Sequence, residues 1–234
     1  PSGEATLSIR DAAGAEITRF SSQGRGPAGM PAAAGTNRFI WNMSYPEPPE
    51  PPVDVPLSGA EAAQPSGPVA APGRYSVRLT VGGQTLEQPF EIRKDPRVQA
   101  TDADLQAQFV LMVDIGKRAT EAVDGLKRLH EARGQIDPAR PGAAAVLERL
   151  RTIEGQLQRL SGAHSLEVAP KGLYNRLGSL SRAVLSAEAR PTQQEYAVFE
   201  GLSAGIAEQL RQLGEVIASD LPAVANAGGG GAAP

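Results

Sequence analysis

The stretch "PGRYSVRLTVGGQTLEQPFEI", Pro72 to Ile92, decides the class of the first part of this chain. Tyr75, Val77, Leu79 and Val81 alternate with Arg74, Ser76, Arg78 and Thr80, a period of two that lines one face of a strand with apolar side chains. Gly82 and Gly83 supply the pair of residues free to adopt φ > 0 that a two-residue hairpin turn demands. Leu86, Phe90 and Ile92 fit the returning strand. Pro89, which has no N–H to give to a ladder, marks that strand as an edge or a bulge.

Working upstream, "ATLSIRDAAG" sets Ala5, Leu7 and Ile9 against Thr6, Ser8 and Arg10 before an Asp-Ala-Ala-Gly turn, and "EITRF" resumes with Ile17 and Phe20. This predicts a second hairpin. In "NRFIWNM" the same alternation makes Phe39, Trp41 and Met43 the inward set of a further strand, which must stop at Pro46. Residues 46–72 are dominated by Pro, Ala, Glu and Gly and have no period, so they are expected to form a long extended loop. About five strands result, the content of a small sandwich with one or two strands missing.

After "RKDPR" the period lengthens to about 3.5. Thr101 to Asp104 offers an N-cap with an acid three residues on. Leu105, Phe109, Met112, Gly116, Ala119, Val123 and Leu126 then recur in steps of four and three, predicting one long helix to about Arg133. "GQIDPARPG" breaks it. A second helix carries Val146, Leu150, Ile153, Leu157 and Leu160; a third carries Leu173, Leu177, Leu180 and Val184. The fourth opens on Thr192-Gln-Gln-Glu195, a capping box directly after Pro191, and carries Phe199, Leu202, Ile206, Leu210, Leu213 and Ile217 to Leu221. An antiparallel, coiled-coil-like bundle of about four helices is the packing this spacing suits. Residues 223–234, ending in "NAGGGGAAP", read as a flexible tail.

Composition narrows the chemistry. The 234 residues suffice for two small domains. A net charge of −3 without a basic face or run argues against nucleic acid as a partner. Of 23 basic residues only Lys94, Lys117, Lys127 and Lys171 are lysine, an arginine bias that with abundant Ala, Gly and Pro suggests a high-GC bacterial coding sequence. There is no cysteine, hence no disulfide, thiolate ligand or thiol nucleophile. No apolar run reaches the ~18 residues of a membrane span.

The two histidines, His130 and His164, stand on different segments with no partner at metal-ligand spacing. His130 falls on the seam near a helix C-terminus and His164 in the loop "SGAHSLEVAPKG"; neither is assigned a site. Asp102, Asp104, Asp114, Glu121 and Asp124 read as a solvated helix face, and no serine lies in Gly-x-Ser-x-Gly. No catalytic residue, metal ligand or cofactor is assigned. Gly201 and Gly205 can bring helices close. The candidate ligand platform is Trp41, Tyr45 and Tyr75, aromatics able to stack on sugar rings beside "PEPPEPP", whose Pro-x-x-Pro spacing can dock on a partner groove. The phase of Trp41 with Phe39 and Met43 weighs instead toward a core role for Trp41.

The ordered blocks "LSIRDAAGAEITRF", "AAGTNRFIWNM" and "APGRYSVRLTVGG" resemble the immunoglobulin-like module of bacterial flagellar hook-capping and secretion-associated proteins. With "RKDPR", "TDADLQAQF" and "GLYNRLGSL…ARPTQQEY", the chain is similar to the C-terminal portion of large bacterial sortilin-type or Asp-box (BNR) glycosyl hydrolase-like β-propeller proteins.

The resemblance implies an α+β multidomain chain. Residues 1–97 would form an immunoglobulin-like β-sandwich, lacking its first strand and carrying the Pro-rich loop 46–72, and residues 98–222 the helical bundle. It implies an exported protein, periplasmic, cell-surface or extracellular, whose signal lies outside this sequence. It also implies an upstream propeller, or another chain, completing the sheet edge beside Ala5 to Arg10. The Asp-box pattern Ser-x-Asp-x-Gly-x-x-Trp does not occur, so no family site residue maps onto this chain. The expected role is a non-catalytic accessory region for assembly or partner binding. The alternative is a carbohydrate-binding component with catalysis elsewhere.

Overall fold

The computed structural model describes residues 3–52, 65–158 and 172–225. Their contacts divide into two compact units, the first Pro1–Glu47, Gly67–Val113 and Glu188–Pro191, the second Pro48–Ser66, Asp114–Ala187 and Thr192–Pro234. The fold is α+β, with one open four-stranded antiparallel sheet and four main helices among the described residues, the last followed by a short turn of helix, Leu221–Val224.

The strands are β1 (Ala5–Arg10), β2 (Glu16–Ser21), β3 (Gly73–Val81) and β4 (Gln84–Ile92), in the order β2-β1-β3-β4. The first hairpin turns where Asp11 Oδ1 accepts from the amides of Ala13 and Ala15, and Gly14 takes φ 82°. The second turns on Gly82 (φ 56°) and Gly83 (φ 80°). Register sets Leu7 opposite Leu79, Ile9 opposite Val77 and Tyr75 opposite Phe90, which gathers the apolar residues on one face. Ile9, Ile17, Ala70 and Tyr75 are its buried centre. On the opposite face Glu87 accepts from Ser76 and Arg78, a solvated cross-strand pairing.

β1 is an interior strand, paired on both sides, so the open edge expected beside it does not exist. The edges are β2 and β4. The carbonyl of Ser21 on β2 accepts from the amides of Gly24 and Met30, and Pro89 interrupts the N–H row of β4, so each edge carries a device that discourages open-ended pairing.

One expectation for the Trp41 region is corrected: "NRFIWNM" is not a strand. The described residues form one four-stranded sheet and no second one. Met43 sits at φ 61°, which turns the chain and breaks the alternation; Phe39 and Trp41 are half-buried while Met43 is 46% exposed. The turn lets the Met43 carbonyl accept from Ala70 N at 2.7 Å while Tyr45 N donates to the Pro68 carbonyl at 2.8 Å. The loop 46–72 is therefore fastened where it returns, with Ala70 and Ala71 each 6% exposed, rather than simply extended. A Cβ added at Gly67 would lie 2.1 Å from the Tyr45 carbonyl oxygen, so only glycine allows this approach of two backbones.

The helices are α1 (Asp102–Gly134), α2 (Ala143–Leu157), α3 (Leu173–Val184) and α4 (Gln193–Glu215). Both capping boxes form: Thr101 and Asp104 bond reciprocally at the start of α1, as do Thr192 and Glu195 before α4. In the second unit Ile115, Ala119, Val123, Leu126, Leu150, Ile153, Leu157, Leu177, Leu202, Ile206 and Leu213 are buried at helical spacing. A Cβ on Gly205 would stand 3.1 Å from Leu173 Cδ2, a close α3–α4 approach, whereas Gly201 faces open space.

The seam of α4 slips at its end. A π-turn, Val216–Asp220, makes Val216 and Leu221 the buried residues, five apart, in place of Ile217. The chain also stays packed past the expected tail boundary at 223: Val224 is 2% exposed and its carbonyl accepts from Asp137 N.

Two outcomes follow for stability. Gly67→Ala forces a backbone shift and should cost about 1–3 kcal/mol in urea unfolding, whereas Gly201→Ala should not destabilise. Hydrogen bonds from Thr101 and Arg190 hold the Asp104 carboxyl at about 2, below its ordinary 3.8. A depressed folded value means that the stabilisation is complete above the unfolded value and is lost as pH falls through about 2. Asp104→Asn should remove this acid-range dependence, and the Asp104 side-chain carbonyl ¹³C titration should report it.

Candidate functional site

The segment "PEPPEPP", Pro46 to Pro52, has its conformation dictated locally. Each proline fixes φ near −65°, and Glu47, Pro48, Glu50 and Pro51 each precede a proline and are pushed to extended ψ. Such a segment has three residues per turn and few N–H groups, so its carbonyls need donors from elsewhere.

Within the second unit those donors come from the helices. Tyr174 Oη on α3 donates to the Pro49 carbonyl at 3.3 Å, and Gln158 Nε2, just beyond α2, donates to the Pro52 carbonyl at 3.4 Å. Both bonds are long. The two carbonyls are three residues apart and so lie on one face of the segment. Pro48 and Pro51, also three apart, are half-buried, and a Cβ at Gly116 on α1 would stand 3.6 Å from Pro48 Cγ, ordinary contact. Where the loop returns, Ser66 N donates to Ser181 Oγ at 2.9 Å.

Gln158 (4% exposed), Tyr174 (1%), Asn175 (3%) and Ser181 (0%) are thus buried polar side chains in a helical unit whose core is mainly apolar. Gln158 Oε1 is buried without a hydrogen-bond partner, and buried polar atoms are ordinarily paired. The sequence reading missed these residues. The available signal was polar side chains at apolar helical spacing, Tyr174, Leu177 and Ser181 in α3.

The candidate platform residues meet in the first unit, as part of its core. Trp41 packs edge-on to Tyr75 and to Phe90, each with centroids 6.4 Å apart, and Nε1 donates to the Ser44 carbonyl at 3.1 Å. Tyr75 is 8% exposed, stacks on Phe90 and donates to the Ala71 carbonyl at 2.7 Å. Tyr45 packs edge-on to Phe109 at 5.0 Å, and burial pushes its phenol up to about 12. Phe39 stands against Phe20 rather than beside Trp41's neighbours.

A second polar cluster links α1 and α2. Glu154, 4% exposed, accepts from Arg133 Nη1 at 3.1 Å, and its other oxygen lies 2.7 Å from His130 Nε2. His130 therefore has a carboxylate partner 24 residues away, beyond the reach of spacing arguments. His164 lies outside the described residues. Among the described residues no group of three His, Cys, Asp or Glu could hold a metal ion, and no helix is long and apolar enough to cross a membrane.

No protein-family model matches this chain, and comparison with curated proteins and with solved structures gives no match.

The Glu154 cluster makes a sharp prediction. Replacing His130 and Arg133 together with alanine leaves a buried carboxylate without its donors and should cost on the order of 3 kcal/mol. Glu154→Leu, which removes the charge itself, should cost less. Urea unfolding of the two variants tests this ranking.

Proposed function

We propose that this chain is a non-catalytic interaction region of a larger exported bacterial protein of the Asp-box, glycosyl hydrolase-like β-propeller type. The observation that carries the interaction reading is the pair of donors Gln158 and Tyr174, which meet the carbonyls of Pro52 and Pro49 in an extended segment. Donors aimed at main-chain carbonyls three residues apart are the chemistry of peptide recognition, not of bond making or breaking.

The parentage rests on the resemblance of the ordered blocks. Two of them coincide with β1 to β2 and with β3 and its glycine turn. In this reading the four-stranded sheet is one layer of an immunoglobulin-like module, with the Trp41 segment closing its apolar face, and the helices form a coiled-coil-like bundle. The propeller precedes it in the parent polypeptide, and a further chain joining the sheet would do so along β2 or β4.

The competing reading, a carbohydrate-binding component, needs the ring faces of Trp41, Tyr45 and Tyr75 open to sugar. The burial of Tyr75 and the internal hydrogen bond of the Trp41 indole count against it.

Two measurements test the proposal. The native polypeptide carrying this sequence, sequenced by mass spectrometry, should contain Ser-x-Asp-x-Gly-x-x-Trp repeats upstream; a polypeptide without them overturns the parentage. Emission of Trp41, the sole tryptophan, should stay unchanged on titration with oligosaccharides, whereas a saturable shift would establish the carbohydrate reading.

A further inference from the structure

We infer that the strip formed by Gln158, Tyr174 and Gly116 is a docking seat for a proline-rich segment supplied in trans, and that Pro48 to Pro52 occupies it as a cis latch. The inference rests on reading this chain as an interaction region and names the partner's chemistry: an extended segment of the pattern Pro-Pro-x-Pro-z, where z is any residue other than proline.

Recognition is by backbone. Tyr174 and Gln158 donate to the carbonyls of Pro49 and Pro52, one turn of an extended proline helix apart, and neither contacts a side-chain atom of Glu47 or Glu50 in these bonds. Any segment with the same proline spacing presents the same two acceptors on one face. The ring of the first proline lies beside Gly116 of α1, where an added Cβ would stand 3.6 Å from its Cγ.

The amide of Gln158 fixes z. A residue in extended conformation presents its C=O and its own N–H toward the same neighbour, as paired strands do. A glutamine amide can meet both, Nε2 to the carbonyl and Oε1 to the N–H. Gln158 makes the first bond, to Pro52, and cannot make the second because proline has no N–H. Its Oε1 is left buried and unpartnered. The chain's own segment is thus an imperfect ligand for its own seat, and a segment with an ordinary amide at that position gains a hydrogen bond that the latch lacks. Tethering compensates for the defect, because a joined segment has an effective concentration of roughly millimolar. A latch that is favoured by tethering but mismatched at one position is displaceable.

The test uses the full chain and two fluorescein-labelled peptides, PEPPEPP and PEPPEPA. In a variant with Pro48, Pro49, Pro51 and Pro52 all changed to serine, both peptides should bind. PEPPEPA should bind about three- to tenfold more tightly, the worth of one net hydrogen bond. The wild-type chain should bind each about tenfold more weakly than the variant, because the latch competes. Gln158→Leu should abolish the preference between the peptides.

No binding by a folded latch variant, or a preference that survives Gln158→Leu, overturns the inference. Because the serine variant could unfold, Pro52→Ala in the otherwise intact chain supplies an independent measurement. The amide created at position 52 should exchange its hydrogen at least tenfold more slowly than in the same chain carrying Gln158→Leu. Equal exchange rates overturn the inference. Absence of an upstream propeller would refute the parentage without affecting either result.

Discussion

The constraint on which much of this structure depends is the missing N–H of proline. Between Pro46 and Pro52 five of seven residues have none, so the chain cannot continue any sheet beyond Tyr45. It leaves, and its carbonyls are met instead by Tyr174 and Gln158 within the helical unit. The return is equally specific. Pro68 and Ala70 bond back to Tyr45 and Met43, an approach that the lack of a side chain at Gly67 makes feasible, and Ala70 completes the small core around Tyr75.

The same constraint accounts for Trp41. With no neighbouring strand available on its own segment, the indole satisfies its N–H locally on Ser44 and fits its edge between Tyr75 and Phe90. Aromatics are 4% of the chain, and several of them meet around this one sheet face. Each aromatic contact contributes roughly 0.5–1.5 kcal/mol beyond area burial, a substantial share of the stability of so small a sheet. Trp41 is a closing piece of the core although it lies in no strand.

The second unit has a different logic. Its apolar seams are continuous, and into them are set a few polar residues that face specific partners: Glu154 toward His130 and Arg133, Ser181 toward Ser66, Gln158 and Tyr174 toward the proline segment. Burying such groups costs stability unless each finds its partner, so they select one arrangement of helices and segment rather than adding to the total. Gln158 Oε1 and Ser203 Oγ are buried in this unit without a partner, and the first of them faces the segment's neighbourhood through a side chain already bonded to Pro52.

The sequence by itself determined the period of each element, and with it the two hairpins, the glycine turn at 82–83, both capping boxes and the helical second half, because these depend on residues within one or two turns of one another. It placed the Trp41 segment in a strand because alternation continues through Phe39, Trp41 and Met43, and nothing local reveals that Met43 adopts a positive φ. Only the tertiary structure decided that bend, the pairing of His130 with Glu154, the slip of the α4 seam to Val216, and the seat of the proline segment. Those features join residues 24 to 125 positions apart, apart from the α4 seam and the Met43 bend, and are settled by which buried polar groups must find partners. A one-dimensional pattern carries no record of that requirement.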